Sequence, residues 1–187
     1  REQHQCLDRQ QRRHAAADGR ARWHVGMVHG ALSIPGSTDA DDVVVKILQD
    51  GSVQCAGNGD QGQLGMGTVG YRDEPVSVSL GPASAIAAGE AHTCALVDGR
   101  AYCWGDGNYR QLGDPNAVRS LVPIPVSVTG VLAGKTLVSI TAGGYHTCAL
   151  DTAGKAYCWG RNDDGQLGAP GTGREPVVVS DPGKPLA

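Results

Sequence analysis

Four of the six cysteines could form two disulfides. They stand in pairs, each separated by a turn: Cys94 with Cys103, and Cys148 with Cys158. Zinc is the other chemistry open to these sulfurs, but no Cys-x-x-Cys occurs and the histidines lack zinc-finger spacing. Disulfides are therefore favoured, and they indicate an extracellular, periplasmic or cell-surface location, with the cytoplasm as the alternative.

The register of the first pair follows from its turn. Asp98-Gly99 predicts a two-residue type I′ hairpin, because both central positions of that turn need positive φ. Counting outward pairs Val97 with Arg100 and places Cys94 opposite Cys103 at a non-hydrogen-bonded position, where Cα atoms lie about 4.5 Å apart. A disulfide can bridge that distance.

The second pair has one more residue in its turn, Thr152-Ala153-Gly154. A three-residue loop ending in Gly is typical of a type I turn with a bulge, which pairs Asp151 with Lys155. The same count then places Cys148 opposite Cys158.

A third, degraded copy of this hairpin runs from Val44 to Gly57. Its Asp50-Gly51 is interpreted as a two-residue turn, which places Lys46 opposite Cys55, so no bridge is expected there. Cys6 and Cys55 either bridge each other or stay free.

Two glycine- and acid-rich loops could hold ligands. The segment Gly57 to Gly62 spells Gly-x-Gly-x-x-Gly, which can cradle phosphates, but no helix pattern follows it and a plain loop is favoured. Asn162, Asp163 and Asp164 carry oxygens suited to calcium, with Asp60 and Asp106 in related loops. The bidentate Glu of a helix-loop-helix site is missing, so turn capping is the favoured role. No cofactor and no metal site is predicted.

Four further residues recur at matching positions: His92, His146, Trp104 and Trp159. A catalytic imidazole would be needed once, not once per copy, so each histidine is interpreted as structural, bonding the neighbouring backbone. The tryptophans could form an aromatic surface for a partner, but filling space between repeats is favoured.

The elements that carry these residues repeat. Gln-Leu-Gly recurs at 63–65, 111–113 and 166–168, Pro-Val-x-Val recurs from Pro75, Pro125 and Pro176, and Cys-Trp-Gly recurs at 103–105 and 158–160. One unit is therefore about fifty residues, the length of a four-stranded propeller blade. In the clearest unit the sequence predicts strands at 125–128, 137–142, 146–151 and 156–160. Alternation of apolar and polar residues is weak, as expected where neighbouring blades cover both faces of a sheet.

The segments 86–96 and 140–150, which share the pattern Ala-Gly-x-x-His-Thr-Cys-Ala-Leu and lead to Trp-Gly and Gln-Leu-Gly, resemble the regulator of chromosome condensation repeats. The resemblance covers about residues 43–180. It implies an all-β partial propeller of about three four-stranded blades, part of a closed ring of about seven. Proteins with these repeats include an exchange factor for a Ras-like GTPase, a plant photoreceptor and secreted inhibitors of β-lactamase.

The chain divides into a basic non-repeat segment, 1–40, and repeats over 41–187. The head carries six arginines and is expected to be solvated or disordered. Three blades leave two sheet flanks uncovered: the chain is a fragment, another chain covers the flanks, or the ends are frayed. Any export signal is expected to have been removed or to lie outside this sequence.

Composition narrows the function. A net charge of −3 argues against nucleic-acid binding by the repeats, and no apolar run long enough to span a membrane occurs. No nucleophile elbow, zinc helix or paired carboxylates can be picked out, so the chain is predicted not to be an enzyme. A sialidase-like propeller is the enzyme alternative, but its Ser-x-Asp-x-Gly-x-x-Trp turn is not met.

The prediction is a non-catalytic protein-binding module, and inhibition or capture of a secreted enzyme fits oxidised cysteines. Nucleotide exchange on a small GTPase is the alternative that the resemblance implies; it requires reduced thiols. Loops that vary on a fixed scaffold usually carry recognition. The predicted interface residues are Asn58, Asp60, Gln61, Asp106, Asn108, Tyr109, Arg110, Arg161, Asn162, Asp163 and Asp164.

Overall fold

The computed structural model of this protein describes residues 31–33, 43–170 and 175–179. Cys6 and residues 1–30 lie outside the described residues. The assignment of 1–40 as a separate basic segment therefore stays a prediction, although residues 31–33 of that segment form a strand that pairs with the first repeat.

The described strands form three antiparallel sheets of four strands, and strands adjacent in the chain are adjacent in each sheet. Blade 1 contains β1 (Ala31–Ser33), β2 (Val43–Ile47), β3 (Val53–Gly57) and β4 (Arg72–Ser77); blade 2 contains β5 (Ala83–Ala88), β6 (His92–Val97), β7 (Arg100–Asp106) and β8 (Arg119–Pro125); blade 3 contains β9 (Leu137–Ala142), β10 (His146–Asp151), β11 (Ala156–Gly160) and β12 (Val177–Val178). A single 3-10 turn, Gly130–Leu132, is the only helical element among these residues. The all-β, three-bladed partial propeller is confirmed.

The starting point of each blade differs from the prediction. The strand expected at 125–128 was grouped with the three strands that follow it, but its first residue ends β8 and pairs with Tyr102 in blade 2. Each blade thus finishes with its Pro-Val-x-Val segment instead of beginning with it. The periodicity fixes the length of a repeat but not its phase, which depends on which neighbouring strand completes the sheet.

The two cysteine hairpins have the predicted registers. Asp98 and Gly99 both have positive φ, of 49° and 72°, and Cys94 lies opposite Cys103. In blade 3 the Asp151 N–H donates to the Lys155 carbonyl at 3.0 Å, and Cys148 lies opposite Cys158.

The register predicted for the first hairpin is wrong by one residue. Val45, not Lys46, lies opposite Cys55, and Lys46 pairs with Gln54. The physical reason is that Leu48 pairs with Ser52 through a 2.8 Å hydrogen bond, so residues 49–51 form a three-residue loop like that of blade 3. The expectation that no bridge forms here holds, because the position opposite Cys55 carries a valine.

Two hydrophobic cores lie between the blades, one at each junction. Every residue of β6 is buried. Its side chains alternate between the two cores: Cys94 and Leu96 pack toward blade 3, while Ala95 and Val97 pack toward blade 1. Burial on both faces explains why the strand sequence does not alternate between apolar and polar residues.

Candidate protein-binding rim and the contacts that hold it

One main-chain carbonyl joins blade 1 to blade 2. The Gln63 oxygen, in the loop after β3, accepts a hydrogen bond from Thr93 Oγ1 at 2.8 Å and another from Trp104 Nε1 at 2.9 Å. All three residues are buried. A buried carbonyl needs partners, and this one receives both from the next blade.

The same contact joins blade 2 to blade 3. The Gln111 carbonyl accepts from Thr147 Oγ1 at 3.1 Å and from Trp159 Nε1 at 2.9 Å. We call this arrangement, a Thr hydroxyl and a Trp indole N–H donating to the Gln carbonyl of the preceding blade, the Thr–Trp clamp. Both indole rings therefore lie at a junction between blades.

The glycine of Gln-Leu-Gly makes room for the indole. A Cβ at Gly65 would stand 2.7 Å from Trp104 Nε1, and one at Gly113 would stand 3.0 Å from Trp159 Nε1. Both glycines also have positive φ, of 69° and 68°. The leucine beside each glycine is fully buried. Gln-Leu-Gly and Trp-Gly are thus the two halves of one contact.

His92 reaches a side chain of the next blade, a contact that the sequence did not indicate. Its Nε2 lies 2.9 Å from Thr147 Oγ1 in blade 3. Thr147 gives its own proton to the Gln111 carbonyl, so its hydroxyl accepts from His92 Nε2–H. The ring is therefore the neutral Nε2–H tautomer, and its buried Nδ1 has no hydrogen-bond partner among the described residues.

Burial lowers the pKa of His92 to about 4, and the charge that His146 would carry lowers it further. A cationic His92 is disfavoured because protonated Nδ1 would be desolvated. His146 takes the corresponding place in blade 3 but is only partly buried, and burial lowers its pKa as well.

Several Asn and Asp side chains accept hydrogen bonds from within their own loops. Asn58 Oδ1 accepts from the Asp60 N–H at 2.8 Å, and Asn162 Oδ1 accepts from the Leu167 N–H at 3.1 Å. Asp106 is buried and accepts from Gln111 Nε2 at 2.8 Å. These residues shape the loops from inside.

The predicted interface residues fall into two separate groups. Tyr109, in the blade 2 loop, packs against Tyr145 of blade 3 with ring centroids 5.0 Å apart, and the Arg161 guanidinium lies 5.7 Å from the centre of the Tyr109 ring. Arg161 also pairs with Asp163 at 2.9 Å and Asp164 at 3.5 Å. With Glu90, which accepts a hydrogen bond from the Tyr145 hydroxyl and raises the pKa of that tyrosine, these residues define the rim patch: Glu90, Tyr109, Tyr145, Arg161, Asp163 and Asp164.

The second group lies at the blade 1 loop. Arg119, at the start of β8, donates to Gln61 Oε1 at 2.6 Å and to the Asp60 carbonyl at 3.4 Å. Two other predicted residues, Arg110 and Asn108, belong to the blade 2 loop. Arg110 has φ of 69° where its counterparts in the other loops, Gly62 and Gly165, are glycines. Asn108 is exposed and donates to Asp106 Oδ1 at 2.6 Å.

Sequence reasoning missed Glu90, Tyr145 and Arg119. The first two stand in the variable positions of Gly-x-x-His, read Glu-Ala in blade 2 and Gly-Tyr in blade 3. Variation between copies was the signal used to choose the other loops, and the same signal marks these positions. Arg119 carries no repeat signal that would have found it.

Both predicted disulfides are present, Cys94–Cys103 and Cys148–Cys158, each with a Cα separation of 4.1 Å. Cys55 is a free, buried thiol, and burial raises its pKa to about 12. Cys94 and Cys103 both lie in the core between blades 2 and 3, so the first bridge packs at that junction while it joins two strands of blade 2.

Within 31–33, 43–170 and 175–179, no three His, Cys, Asp or Glu side chains are grouped as a metal ion would require. The same residues contain no helix long and apolar enough to cross a membrane.

The chain belongs to the family of the regulator of chromosome condensation (RCC1) repeat. The sequence profile of that repeat matches residues 50–96, 98–150 and 153–185. A second profile with the same description matches residues 83–111 and 137–166, which contain both Gly-x-x-His segments and one of the two clamp glutamines, Gln111.

Known relatives agree with this assignment. Protein pim1 of Schizosaccharomyces pombe is 33% identical over 148 residues, which cover 75% of this chain and 27% of pim1. The crystal structure of human WBSCR16 is similar with a TM-score of 0.66 and 27% identity, over 78% of this chain and 39% of that one. Yeast RCC1 (Prp20), solved bound to Kap60, has the same fold with a TM-score of 0.65 and 21% identity, over 75% and 35%. The chain spans well under half the length of these relatives.

Proposed function

We propose that this chain is a non-catalytic protein-binding module and that the rim patch contacts the partner. The observation that best supports this proposal is a contrast between conserved contacts and variable loops. The Thr–Trp clamp is the same at both junctions, whereas the loops that form the rim patch differ in sequence from copy to copy. A fixed scaffold with variable loops is the usual arrangement of a binding protein.

The chemistry of the rim patch suits a protein surface. Tyrosine and arginine are the side chains most enriched where single residues dominate binding energy. Tyr109 is 44% exposed and already ordered by Tyr145, so little conformational entropy is lost when a partner covers it. The ion pairs of Arg161 are solvent-exposed and contribute little to stability, so the arginine can exchange its carboxylate partners for those of another protein.

We further propose that the module works in an oxidising compartment, where capture or inhibition of a secreted enzyme is a suitable role. The two disulfides support this proposal. Exchange on a small GTPase would take place among reducing thiols. Intact mass after alkylation in denaturant, with and without reductant, separates the two: protein from its native source should hold four sulfurs that react only after reduction.

The binding role is tested by comparing two double variants of the full chain as bait in medium from the native source. Tyr109→Ser with Arg161→Ser removes the aromatic and cationic centre of the rim patch. Tyr71→Ser with Arg100→Ser is the matched control, since Tyr71 is 48% exposed and Arg100 is exposed outside the patch. A protein retained by the wild type and by the control, but not by the rim variant, supports the proposal. Equal retention by both variants contradicts it.

A further inference from the structure

One arginine of this chain already shows how the rim patch holds a guanidinium. The guanidinium carbon of Arg161 lies 5.7 Å from the centre of the Tyr109 ring. The same group pairs with Asp163 at 2.9 Å and with Asp164 at 3.5 Å. Attraction to a ring face and pairing with carboxylates are properties that a guanidinium combines better than an ammonium group does. One half of the patch is therefore occupied by an internal arginine.

The other half of the rim patch has the same kinds of groups without a cation. Tyr145 packs against Tyr109, with ring centroids 5.0 Å apart, and donates a hydrogen bond to Glu90. Glu90 is exposed, and Tyr145 is half-buried. In the part of the chain that the structure describes, no lysine, arginine or histidine forms an ion pair with Glu90. An aromatic ring and a carboxylate are thus left for a cation from another molecule.

The backbone holds Glu90 beside Tyr145 across the junction between blades 2 and 3. The Glu90 N–H donates to the Gly144 carbonyl at 3.2 Å. A Cβ at Gly144 would lie 3.3 Å from Glu90 Oε2, so the glycine leaves room for the carboxylate next to the blade 3 backbone. Both side chains are therefore positioned before a partner arrives, which reduces the entropy lost on binding.

The surroundings of Tyr145 are negatively charged. Its pKa is raised first by the hydrogen bond to Glu90, then by partial burial, and then by the charge of Glu90. The whole rim patch contains three carboxylates and a single guanidinium. A positively charged group of a partner is therefore attracted to it, and a negatively charged one is repelled.

We propose that Tyr145 and Glu90 receive an arginine side chain of the partner protein. Its guanidinium pairs with the Glu90 carboxylate and lies over the Tyr145 ring, as Arg161 does with its own carboxylates and Tyr109. Glu90 can accept these bonds as well as the one from the Tyr145 hydroxyl, because a carboxylate has about four acceptor sites. The arginine belongs to the protein that the rim patch binds under the proposed function, on which this assignment rests.

The test is NMR titration of the full chain with capped tripeptides that carry arginine, citrulline or lysine at the centre. Citrulline has nearly the shape of arginine without its charge, and lysine has the charge without the planar group. At low salt, the arginine peptide should shift the amide resonances of Glu90 and Tyr145 in a saturable manner. The other two peptides should shift them several-fold less at equal concentration. Equal shifts with lysine or citrulline, or no saturable shift with arginine, overturn the proposal.

Two matched variants show whether the carboxylate of Glu90 is responsible. Glu90→Gln removes the charge and keeps an oxygen that can accept from Tyr145, whereas Glu74→Gln makes the same change at an exposed residue of blade 1. The Kd of the arginine peptide should rise about threefold in Glu90→Gln and stay unchanged in Glu74→Gln. An equal rise in both variants, or none in Glu90→Gln, also overturns the proposal.

This proposal and the proposed function can fail separately. If the peptides show no preference for arginine while the partner is still lost from the variant with Tyr109→Ser and Arg161→Ser, the rim patch binds a protein through other chemistry. Binding of the arginine peptide together with equal retention of the partner by both double variants contradicts the proposed function instead.

Discussion

The indole N–H of Trp159 donates to the Gln111 carbonyl 2.9 Å away, across the junction of two blades and 48 residues along the chain. Trp104 and Gln63 repeat the contact at the other junction. The bond explains why Gln-Leu-Gly and Trp-Gly recur at the same spacing. Each Gln-Leu-Gly segment supplies the carbonyl to which the tryptophan of the next blade donates. The scaffold is thus built by one repeated contact, which leaves the loop tips at the rim free to vary.

Replacing Trp159 by Phe tests the clamp. Trp159→Phe keeps an aromatic ring but removes the donor, and Thr147 remains on the Gln111 carbonyl, so the expected loss of unfolding free energy is about 1 to 2 kcal/mol. Urea denaturation measures it. Tyr71→Phe, on an exposed side chain, is the control and should change the midpoint little. A Trp159→Phe midpoint equal to that of the control would show that the indole bond does not stabilise the junction.

Acid should weaken the protein through His92. Its pKa is about 4 in the folded state and 6.5 when unfolded, so the unfolded chain binds the proton first as pH falls. The contribution of His92 to stability is therefore complete above pH 6.5 and is lost between pH 6.5 and 4, by about 3 kcal/mol. His146, whose pKa is also lowered by burial, adds a loss in the same direction. Unfolding free energies across this range measure the slope.

His92→Gln is the control for the acid effect, because glutamine can donate to Thr147 and does not titrate. Its stability should be lower at neutral pH but flatter between pH 6.5 and 4. Asp151 cannot account for the wild-type slope, since hydrogen bonds from Lys155 and Tyr157 lower its pKa below the usual value for aspartate. A variant with the same slope as the wild type would rule out His92 as the cause.

A third disulfide should form in blade 1 when Val45 is replaced by Cys. Val45 lies opposite Cys55 at the position that holds the bridge in the other blades. Closing this loop is expected to add about 2 to 3 kcal/mol in the chain-entropy model, less any packing cost. Lys46→Cys is the control, because that residue pairs with Gln54. Peptide mapping without reductant should find the bridge in Val45→Cys alone. A bridge in Lys46→Cys would contradict the observed register and would support a two-residue turn at Asp50-Gly51.

Cys55 itself should be inert in the folded protein. Burial raises its pKa to about 12, so almost no thiolate exists at pH 8, and the sulfur is shielded from reagents. Iodoacetamide at pH 8 should leave Cys55 unmodified in the native protein and modify it in urea, as mapped by mass spectrometry. Modification at equal rates in both conditions would mean that the blade 1 core opens readily.

Local features of the fold could be predicted and distant ones could not. The Asp98-Gly99 turn fixes the pairing of Cys94 with Cys103, since a turn type sets the register of its own hairpin. Asp50-Gly51 led to a wrong register because the same dipeptide can also end a three-residue loop. The pairing of Leu48 with Ser52 shows that the three-residue loop forms.

The sequence could not predict which side chains meet across the junctions between blades. His92 was expected to bond nearby backbone, but its Nε2 meets Thr147, 55 residues away. Likewise, the contact of Tyr109 with Tyr145 depends on how two blades are placed side by side. The loops were chosen from variation between copies, which indicates where recognition can lie but not which side chains meet.

Hydrogen–deuterium exchange of the chain with and without its captured partner tests the binding role most directly. The rim patch predicts that protection on binding is concentrated in peptides covering residues 106–110, 143–146 and 161–164. Protection confined to the blade 1 segment 67–72 or to the outer strand β8, with the rim peptides exchanging as in the free protein, would contradict it.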